Sequence, residues 1–312
     1  MAVVAVSLNF RDLMVIEGPS PYGEKPGLIP VSDGAGVVVA VGPGVDHVRP
    51  GDMVVAAFRP GWIDGRIGAD RRSADLGGGS DGVLATHVVL PAEALVPKPA
   101  ALSFEEAACF PCAGVTAWNA VFGGRGLEPC QSLLVQGTGG VSLFALQFAR
   151  AAGQRVIATT SSADKANLLR ALGADHVIDY RSDLEWDKAV LNATGGQGVD
   201  RVVEVGGAAT FARSMACTRF GGEISVVGVL EGAGGQISPM AFIGRMLTVR
   251  GISVGSRAML EAAMASAVST GFRPVIDKVF AFDEAKEALS HFKGRGHIGK
   301  VVIRIAGESI GQ

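Results

Sequence analysis

One segment, residues 133–153 (LLVQGTGGVSLFALQFARAAG), limits what this chain can fold into. Its apolar opening ends at Gly137, turn residues follow, and apolar side chains then recur at helical spacing until Gly153. A turn of this kind lets the backbone approach a pyrophosphate and points the free amides of a helix N-terminus at it. The segment therefore predicts a dinucleotide site, although a glycine-rich turn can also serve packing alone. The predicted cofactor-binding residues of the turn are Gly137, Thr138, Gly139, Gly140 and Val141.

The position after Val141 departs from the usual glycine pattern. A third Gly or Ala is expected there, because it allows the helix to pack closely on the strand. This chain has Ser142 instead. We therefore expect slightly looser packing at the start of the helix.

Short Val- and Ile-rich runs alternate with helical segments after Ser103, which is followed by two glutamates in a helix-start pattern. This alternation is typical of an α/β fold with a doubly wound parallel sheet. The 44 glycines, about twice the usual share of ~7%, suit helices packed closely on such a sheet. The predicted strands lie near residues 133–136, 155–160, 176–178, 201–205, 223–228 and 248–253.

The part before Ser103 has a different pattern. Residues 31–95 contain short strands separated by Gly-Pro and Pro-Gly turns, interrupted by a polar, glycine-rich loop at residues 60–82. We expect this loop to cover a surface or a site and to contribute to substrate specificity. The last residues predict one helix and a final strand that returns to the β-rich part. The predicted domains are therefore residues 1–100, completed by residues 274–312, and the dinucleotide-binding domain at residues 101–273.

Charge and composition exclude several kinds of partner. A net charge of −2 gives no general attraction for nucleic acid or an anionic membrane, so a small-molecule substrate is favoured. The opening MAVVAV lacks a basic flank and is too short for a secretory leader or a membrane span, and a cytoplasmic protein is expected. The four cysteines lack a second paired cluster, so reduced thiols are expected.

The residues that follow the second strand of the predicted parallel sheet favour NADP(H). An NAD-specific site has an acidic residue about 20 residues after the turn, whereas this chain has hydroxyl side chains and one ammonium there. These groups would accept a 2′-phosphate, and NAD(H) stays possible. Alternatively, Ser161 or Ser162 caps the next helix and Lys165 is a solvated surface residue. The predicted residues are Thr160, Ser161, Ser162 and Lys165.

Six motifs occur in the order LNFRD, DGAGVVVAVG, FPCAGVTAWNAV, VQGTGGVSLFALQFARAAG, LGADHVIDY and HIGKVVIRI. Together they resemble the zinc-free, quinone-oxidoreductase-like alcohol dehydrogenases of the medium-chain dehydrogenase/reductase superfamily. The resemblance covers nearly the whole chain. It implies a GroES-like β-rich domain and a Rossmann domain, with the active site in the cleft between them.

The resemblance also predicts that no metal is bound. Asn9, Ser32 and Cys112 stand where zinc-dependent relatives have their Cys, His and Cys ligands, and Asp33 stands at the acidic position. One thiol with an amide and a hydroxyl is not a credible zinc set. The structural-zinc cysteines of those relatives are also missing. Cys112 is expected to be a small buried apolar residue, with a nucleophile as the alternative.

Without a Lewis acid, hydroxyl and amide donors or an ordered water must stabilise the developing oxyanion. The predicted catalytic residues are Asn9, Asp12, Ser32 and Thr116. Asp12 can orient a water or an amide, whereas ordinary backbone capping is an alternative role for Ser32 and Thr116. Arg11 is interpreted either as a clamp for an acidic substrate or as a member of a surface ion pair.

The resemblance further assigns cofactor contacts outside the turn. It places Tyr180 near the adenosine 2′-phosphate and three residues along the nicotinamide, and it matches the closing Gly-Lys of the family with Lys300. The three nicotinamide residues are Gly228, Val254 and Ser256.

The sequence therefore predicts a zinc-independent oxidoreductase that transfers hydride between NADPH and a small carbonyl, alcohol or quinone. The alternatives are an enoyl or alkenal C=C reductase and a cofactor-binding protein with little turnover. A homodimer is expected through the edge strand near LTVRGISVGS. Family members usually have additional strands before VAVSLNFRD, and their loss would expose sheet edges.

Overall fold

The computed structural model describes residues 1–18, 25–68, 75–125, 127–236 and 238–305. They divide into two compact units: a first unit from Met1–Val115 and Val254–Gln312, and a second unit, Thr116–Ser253. The predicted boundaries differ from this division, because they assigned residues 101–115 and 254–273 to the second domain.

The strands in the described part of the chain are β1 (Ala2–Ser7), β2 (Asp33–Val37), β3 (Met53–Ala56), β4 (Leu95–Pro97), β5 (Ser132–Gln136), β6 (Arg155–Thr160), β7 (His176–Asp179), β8 (Val199–Glu204), β9 (Thr218–Val226), β10 (Thr248–Gly251), β11 (Ile276–Ala281) and β12 (Lys300–Arg304). The α-helices are α1 (Phe10–Glu17), α2 (Phe104–Ala108), α3 (Val115–Phe122), α4 (Gly140–Ala151), α5 (Ala163–Ala171), α6 (Trp186–Ala193), α7 (Phe211–Cys217), α8 (Pro239–Arg245), α9 (Arg257–Thr270) and α10 (Ala285–Lys293).

The first unit is built on a mixed sheet with the order β11-β12-β1-β2-β3-β4. Strand β1 pairs antiparallel with β12 on one side and with β2 on the other, so both of its edges are occupied. The C-terminal strand therefore completes the N-terminal sheet, as its sequence predicted. Strand β11, parallel to β12, was not predicted.

Helix α2 explains the shifted domain boundary. Ser103 caps it by accepting the Glu106 amide, and Glu106 bonds back to the Ser103 amide, which confirms the predicted helix start. The helix contacts β1, β2 and β12. Since Phe104 and Ala107 are buried, α2 belongs with the first sheet rather than with the dinucleotide-binding unit.

The second unit contains a parallel sheet with the order β10-β9-β8-β5-β6-β7. Its strand order reverses at β5, which confirms the predicted doubly wound α/β fold, and it places the carboxyl ends of β5 and β6 together. All six predicted strands are present. Strand β9 begins earlier than predicted and ends at Val226, so Gly228 lies beyond it.

A buried ion network ties this sheet to the end of α3. Arg201 pairs with Glu223 at 3.1 Å (Nη2 to Oε2), and Arg250 pairs with the same carboxylate at 2.9 Å (Nε to Oε1). Arg201 Nη1 also donates to the carbonyl of Ala120 at 2.9 Å. Because Arg201 is only 1% exposed, these partners must replace its lost hydration.

No helix within the described ranges combines the length and the apolar character that crossing a membrane requires.

We predict that Arg201→Met lowers the free energy of unfolding by about 3 kcal/mol, because it leaves buried carbonyls and part of Glu223 without a donor. Urea denaturation followed by circular dichroism measures this change. The matched control is Arg213→Met, since Arg213 is 41% exposed and lies 3.4 Å from Asp187; it should cost about 0–1 kcal/mol. Equal losses for the two variants would contradict the importance of the buried network.

Candidate active site

The glycine turn in the second unit is open where a ligand would approach. Gly137 has φ of +71°, a left-handed conformation that favours glycine. A Cβ placed on Gly137 or Gly139 would meet no atom within 4 Å. Gly139 is the N-cap of α4, and the first amides of a helix have no partner within it. The residues present therefore fit the pyrophosphate of a dinucleotide.

Ser142 does not loosen the start of α4. It is buried, and its hydroxyl donates to the carbonyl of Gln136 at 2.6 Å. Gln136 is the last residue of β5, so this bond ties the helix to the strand that precedes the turn. The expected looser packing is therefore replaced by a hydrogen bond.

A buried carboxylate shapes the neighbouring loop after β8, and sequence reasoning missed it. Glu204 Oε1 accepts the amides of Gly206 and Gly207 at 2.7 and 2.9 Å and the hydroxyl of Thr210 at 2.6 Å. Oε2 accepts Gln136 Nε2 at 3.0 Å. An acidic residue that closes a Val-rich strand (RVVEVGG) was the available signal.

The end of β6 carries hydroxyl groups instead of a carboxylate. Thr160 is 1% exposed, and its Oγ1 has no hydrogen-bond partner among the described residues. Ser162 caps α5 by accepting the amide of Lys165 at 3.4 Å, so the capping alternative applies to this serine. Lys165 is partly buried and Ser161 follows the strand directly.

Tyr180 lies beside this group, because its amide donates to the carbonyl of Thr160 at 3.0 Å. Gly228 has a different local role. A Cβ at Gly228 would come within 2.7 Å of the carbonyl oxygen of Val205, so the chain crossing there requires glycine. The predicted contact of Gly228 with nicotinamide stays a prediction.

The first unit brings three of the predicted catalytic residues together at the ends of β1, β2 and β12. Asn9 Oδ1 accepts the ammonium of Lys300 at 2.5 Å, and the same ammonium donates to the carbonyl of Leu8 at 2.6 Å. Asn9 Nδ2 donates to the carbonyl of Ser7 at 3.4 Å and to Ser32 Oγ at 3.5 Å. We call Asn9, Asp12, Ser32, Asp33 and Lys300 the polar cluster.

The hydroxyl proton of Ser32 is used in a hydrogen bond within the polar cluster. Ser32 Oγ donates to Asp33 Oδ1 at 2.8 Å, and Asp33 Oδ2 accepts the amide of Cys112 at 2.9 Å. Ser32 and Asp33 are fully buried. Burial raises the pKa of the Asp33 carboxyl, while the charge of Lys300 and the donated hydrogen bonds oppose this rise.

Asp12 orients an amide, namely the backbone amide of Asn9. Its Oδ2 accepts that N–H at 2.7 Å at the start of α1. Burial raises the pKa of Asp12 to about 6, the neighbouring Asp33 adds to this rise, and the charge of Arg11 opposes it.

Arg11 is not part of a surface ion pair, because its Nη1 lies 3.5 Å from Oδ1 of the buried Asp12; its role as a clamp for an acidic substrate stays a prediction. Arg11 is buried, its guanidinium lies 4.9 Å from the centre of the Phe58 ring, and Nη1 donates to the carbonyl of Leu76 at 2.9 Å. It thus anchors the end of the 60–82 loop. Residues 69–74 of that loop lie outside the described residues.

The other predicted site residues are distributed between the units. Thr116 is the first residue of the second unit and is buried in α3. Val254 and Ser256 belong to the first unit, where Ser256 Oγ caps α9 by accepting the amide of Met259 at 3.2 Å. Lys300 belongs to the polar cluster.

Comparison with known proteins identifies the family. Residues 1–100 match the alcohol dehydrogenase GroES-like domain, and residues 140–270 match the zinc-binding dehydrogenase family. A zinc-type alcohol dehydrogenase-like protein of Schizosaccharomyces pombe is 43% identical over 307 residues, which cover 96% of this chain and 89% of that protein. The chain belongs to the medium-chain dehydrogenase/reductase superfamily.

Solved structures of this superfamily agree. A putative alcohol dehydrogenase of Sinorhizobium meliloti 1021 is 42% identical, with a TM-score of 0.90 over 97% of this chain and 89% of that one. An NAD-dependent alcohol dehydrogenase is 36% identical, with a TM-score of 0.87 over 98% and 91% of the two chains. A 2-octenoyl-CoA carboxylase reductase in complex with NADP and 2-octenoyl-CoA is 26% identical, with a TM-score of 0.89 over 99% and 80%. The chain is thus an alcohol dehydrogenase-like oxidoreductase that uses a nicotinamide cofactor.

The name of the matched zinc-binding dehydrogenase family implies a zinc ion. The residues at Asn9, Ser32 and Cys112 do not fit one. Asn9 Oδ1 already accepts an ammonium, and the Ser32 hydroxyl donates to Asp33. Burial and the nearby Asp33 raise the pKa of the Cys112 thiol, whereas zinc binds the thiolate. Across the described ranges, no three His, Cys, Asp or Glu side chains are grouped to hold a metal ion.

We predict that Asp12→Asn changes the pH dependence of stability. Because folding raises the Asp12 pKa from 3.8 to about 6, the folded wild type holds this proton more tightly than the unfolded chain. The Asp12 contribution to the free energy of unfolding therefore falls as pH rises from about 4 to about 6. Asparagine still accepts the Asn9 amide but does not titrate. Relative to wild type, the variant should gain about 3 kcal/mol over this range.

Urea denaturation at a series of pH values measures this difference. Asp46→Asn is the matched control, because the Asp46 side chain is 97% exposed and solvent screens its charge. A difference between wild type and Asp12→Asn that stays constant from pH 4 to pH 7 would contradict the raised pKa.

Proposed function

We propose that this chain is a zinc-independent, NADPH-dependent oxidoreductase of the quinone-oxidoreductase-like type. It transfers hydride between NADPH and a small carbonyl, alcohol or quinone. Family membership makes the chain an alcohol dehydrogenase-like oxidoreductase. The proposal adds which cofactor it uses, that it needs no metal, and which substrates it reduces or oxidises.

The single observation that carries the proposal is the chemistry at the end of β6. Thr160 contributes a buried hydroxyl with no partner among the described residues, Ser161 a second hydroxyl, and Lys165 an ammonium. A 2′-phosphate gains charge-assisted hydrogen bonds from such donors, whereas the ribose of NADH gains most from an acidic acceptor. Tyr180, whose amide bonds to the carbonyl of Thr160, would contact the adenosine group beside the 2′-phosphate.

The residues of each unit have separate tasks in this proposal. NADPH, when bound, supplies the hydride. In the second unit, Gly137–Gly140 and the start of α4 hold the pyrophosphate, and Glu204 keeps the neighbouring 206–210 loop in place. In the first unit, the side-chain amide of Asn9 donates to the oxygen that becomes negative as the carbonyl is reduced. Asp12 and Asp33 keep the Asn9 backbone and Ser32 in position.

We predict that Lys165→Ala raises the dissociation constant of NADPH about 10- to 100-fold, the value of one charge-assisted hydrogen bond. The NADH constant should change little, because NADH lacks the 2′-phosphate. Paired calorimetric titrations measure both constants. Lys188→Ala, an exposed lysine on α6, is the matched control and should bind both cofactors as wild type does. The NADPH assignment would be refuted if Lys165→Ala weakened the binding of NADPH and NADH equally. It would also be refuted if the wild-type protein bound NADH more tightly than NADPH.

The metal requirement has its own test. The purified protein should contain zinc far below one equivalent, and it should keep its turnover of benzaldehyde and NADPH after dialysis against a chelator. Turnover that disappears on chelation and returns with added zinc would refute zinc independence.

Reduction of a conjugated C=C bond is the second candidate. The similarity to a structure that contains NADP and 2-octenoyl-CoA favours it. Product analysis with an α,β-unsaturated ketone separates the two reactions, since carbonyl reduction yields an allylic alcohol and C=C reduction yields a saturated ketone. Tight NADPH binding without consumption of any substrate would instead support a cofactor-binding protein with little turnover.

We also propose a homodimer. Strand β10 lies at one end of the second sheet, pairs with β9 on one side, and carries the 40% exposed Val249. An edge strand of this kind can pair with a second copy across a two-fold axis. Light scattering that gives the mass of a monomer at micromolar concentration would remove this proposal.

A further inference from the structure

A buried side-chain network joins the loops at the carboxyl edge of the second sheet. Its centre is Glu204, the last residue of β8, which is fully buried. Gln136, the last residue of β5, donates from Nε2 to Glu204 Oε2 at 3.0 Å, and its Oε1 accepts the amide of Val205 at 3.1 Å. Both ends of the Gln136 amide are therefore bonded to the end of β8 or to the residue after it, directly before the glycine turn begins.

The carboxylate of Glu204 accepts hydrogen bonds from five donors, so both of its oxygens are fully used. Besides Gln136, the donors are the amides of Gly206 and Gly207 and the hydroxyls of Thr210 and Ser214. Ser214 also accepts Gln136 Nε2 at 2.8 Å. This arrangement needs an acceptor at each end of the Glu204 side chain, which a carboxylate has and an amide lacks.

Backbone hydrogen bonds extend the network to the loop after β9. The Glu204 carbonyl accepts the amides of Val227 and Gly228 at 2.8 and 3.2 Å. The Glu231 amide donates to the carbonyl of Gly206 at 2.7 Å. The loops that follow β8 and β9 are therefore bonded to each other, and the side-chain network bonds both to the start of the glycine turn.

The position of these loops in the sheet indicates which half of the cofactor they serve. A dinucleotide lies across the point where the strand order reverses, with one nucleotide on each side. In this sheet the order reverses at β5, and the groups predicted to bind the 2′-phosphate follow β6. Strands β8 and β9 lie on the other side of β5. Their loops are therefore on the side of the nicotinamide half.

We propose that Glu204 is a positioning residue for the nicotinamide half of the cofactor. Through Gln136 it fixes the glycine turn, which holds the pyrophosphate, relative to the loops after β8 and β9, which hold the nicotinamide nucleotide. Its side chain is enclosed by protein donors and touches neither the cofactor nor the substrate. The inference rests on the proposed function only in the choice of NADPH as the cofactor.

The first test compares the whole cofactor with its adenosine half. Glu204→Gln keeps one acceptor oxygen but turns an NH2 group towards the NH2 group of Gln136. If the loops then hold the binding arrangement for about one tenth of the time, the NADPH dissociation constant rises about 10-fold. Adenosine 2′,5′-bisphosphate lacks the nicotinamide nucleotide and should bind as it does to wild type. Calorimetric titrations of the purified protein measure both constants.

The second test restores the network with the charge on the other residue. Gln136→Glu alone places two carboxylates against each other and should weaken NADPH binding at least as much as Glu204→Gln does. In the double variant Gln136→Glu/Glu204→Gln, the carboxylate at position 136 accepts both the Val205 amide and the NH2 group at position 204. Donors again face acceptors, so the NADPH constant should return to within about threefold of the wild-type value.

Asp200→Asn is the matched control. Asp200 lies at the opposite end of β8, and its Oδ2 accepts the amide and the hydroxyl of Ser132 at 2.8 Å, so it also joins β8 to β5. This variant should bind NADPH and adenosine 2′,5′-bisphosphate as wild type does. Urea denaturation establishes that each variant is folded. If Glu204→Gln does not fold, Thr210→Val replaces it, because it removes one donor and leaves the carboxylate; NADPH should then bind about threefold more weakly.

Three outcomes would overturn the proposal. Equal weakening of NADPH and the bisphosphate would show that Glu204 supports the second unit as a whole. NADPH binding at the wild-type value in every folded variant would show that the loops do not depend on the carboxylate. A double variant that binds NADPH no better than Glu204→Gln would show that Gln136 is not the link.

The failure of the proposed function has a different signature. If wild type binds NADH more tightly than NADPH, the NADPH assignment fails. The same comparison with NADH and adenosine 5′-monophosphate then still decides the role of Glu204. Wild type that binds neither cofactor would overturn both proposals.

Discussion

Two carboxyl groups, Asp12 and Asp33, lie buried in the first unit, and the arrangement around them depends on how their charge is compensated. A buried carboxylate is costly unless cations and hydrogen-bond donors replace water. Lys300 and Arg11 supply the cations, while the Asn9 and Cys112 amides and the Ser32 hydroxyl supply the donors. The pKa of each carboxyl still rises, so compensation is incomplete.

This compensation supports the proposal that the site uses an organic donor in place of a metal ion. Zinc needs deprotonated thiols, imidazoles or carboxylates that are free to coordinate it. Here the amide oxygen of Asn9 is taken by an ammonium, and both oxygens of Asp33 accept hydrogen bonds from the chain. The polar cluster thus contains its own fixed cation, the ammonium of Lys300, bonded to Asn9.

In the second unit, the structural requirement is that a phosphate can approach the backbone closely. Its parallel sheet brings the glycine turn after β5 and the hydroxyl groups after β6 to the same edge. Glu204 then fixes the next loop through donors from three segments: Gln136 at the end of β5, the loop itself (Gly206, Gly207 and Thr210) and Ser214 of α7. A saturated carboxylate of this kind gives the loop one conformation, because every donor would lose its partner if the loop moved.

The sequence by itself determined the features that depend on neighbours along the chain. The glycine turn, the six parallel strands and the caps at Ser103 and Ser162 all follow from local spacing and residue type. Strand β11 and the start of β9 were less predictable, because their residues do not alternate cleanly between buried and exposed.

Only the tertiary structure decided the contacts between distant segments. Lys300 meets Asn9 across 291 positions because β12 pairs with β1. Helix α2 joins the first unit because its apolar side chains pack on that sheet. Arg11 is buried because the end of the 60–82 loop supplies its acceptors. Local patterns specify which residues carry polar groups, but burial and partners depend on which strands pair, and pairing is a property of the whole fold.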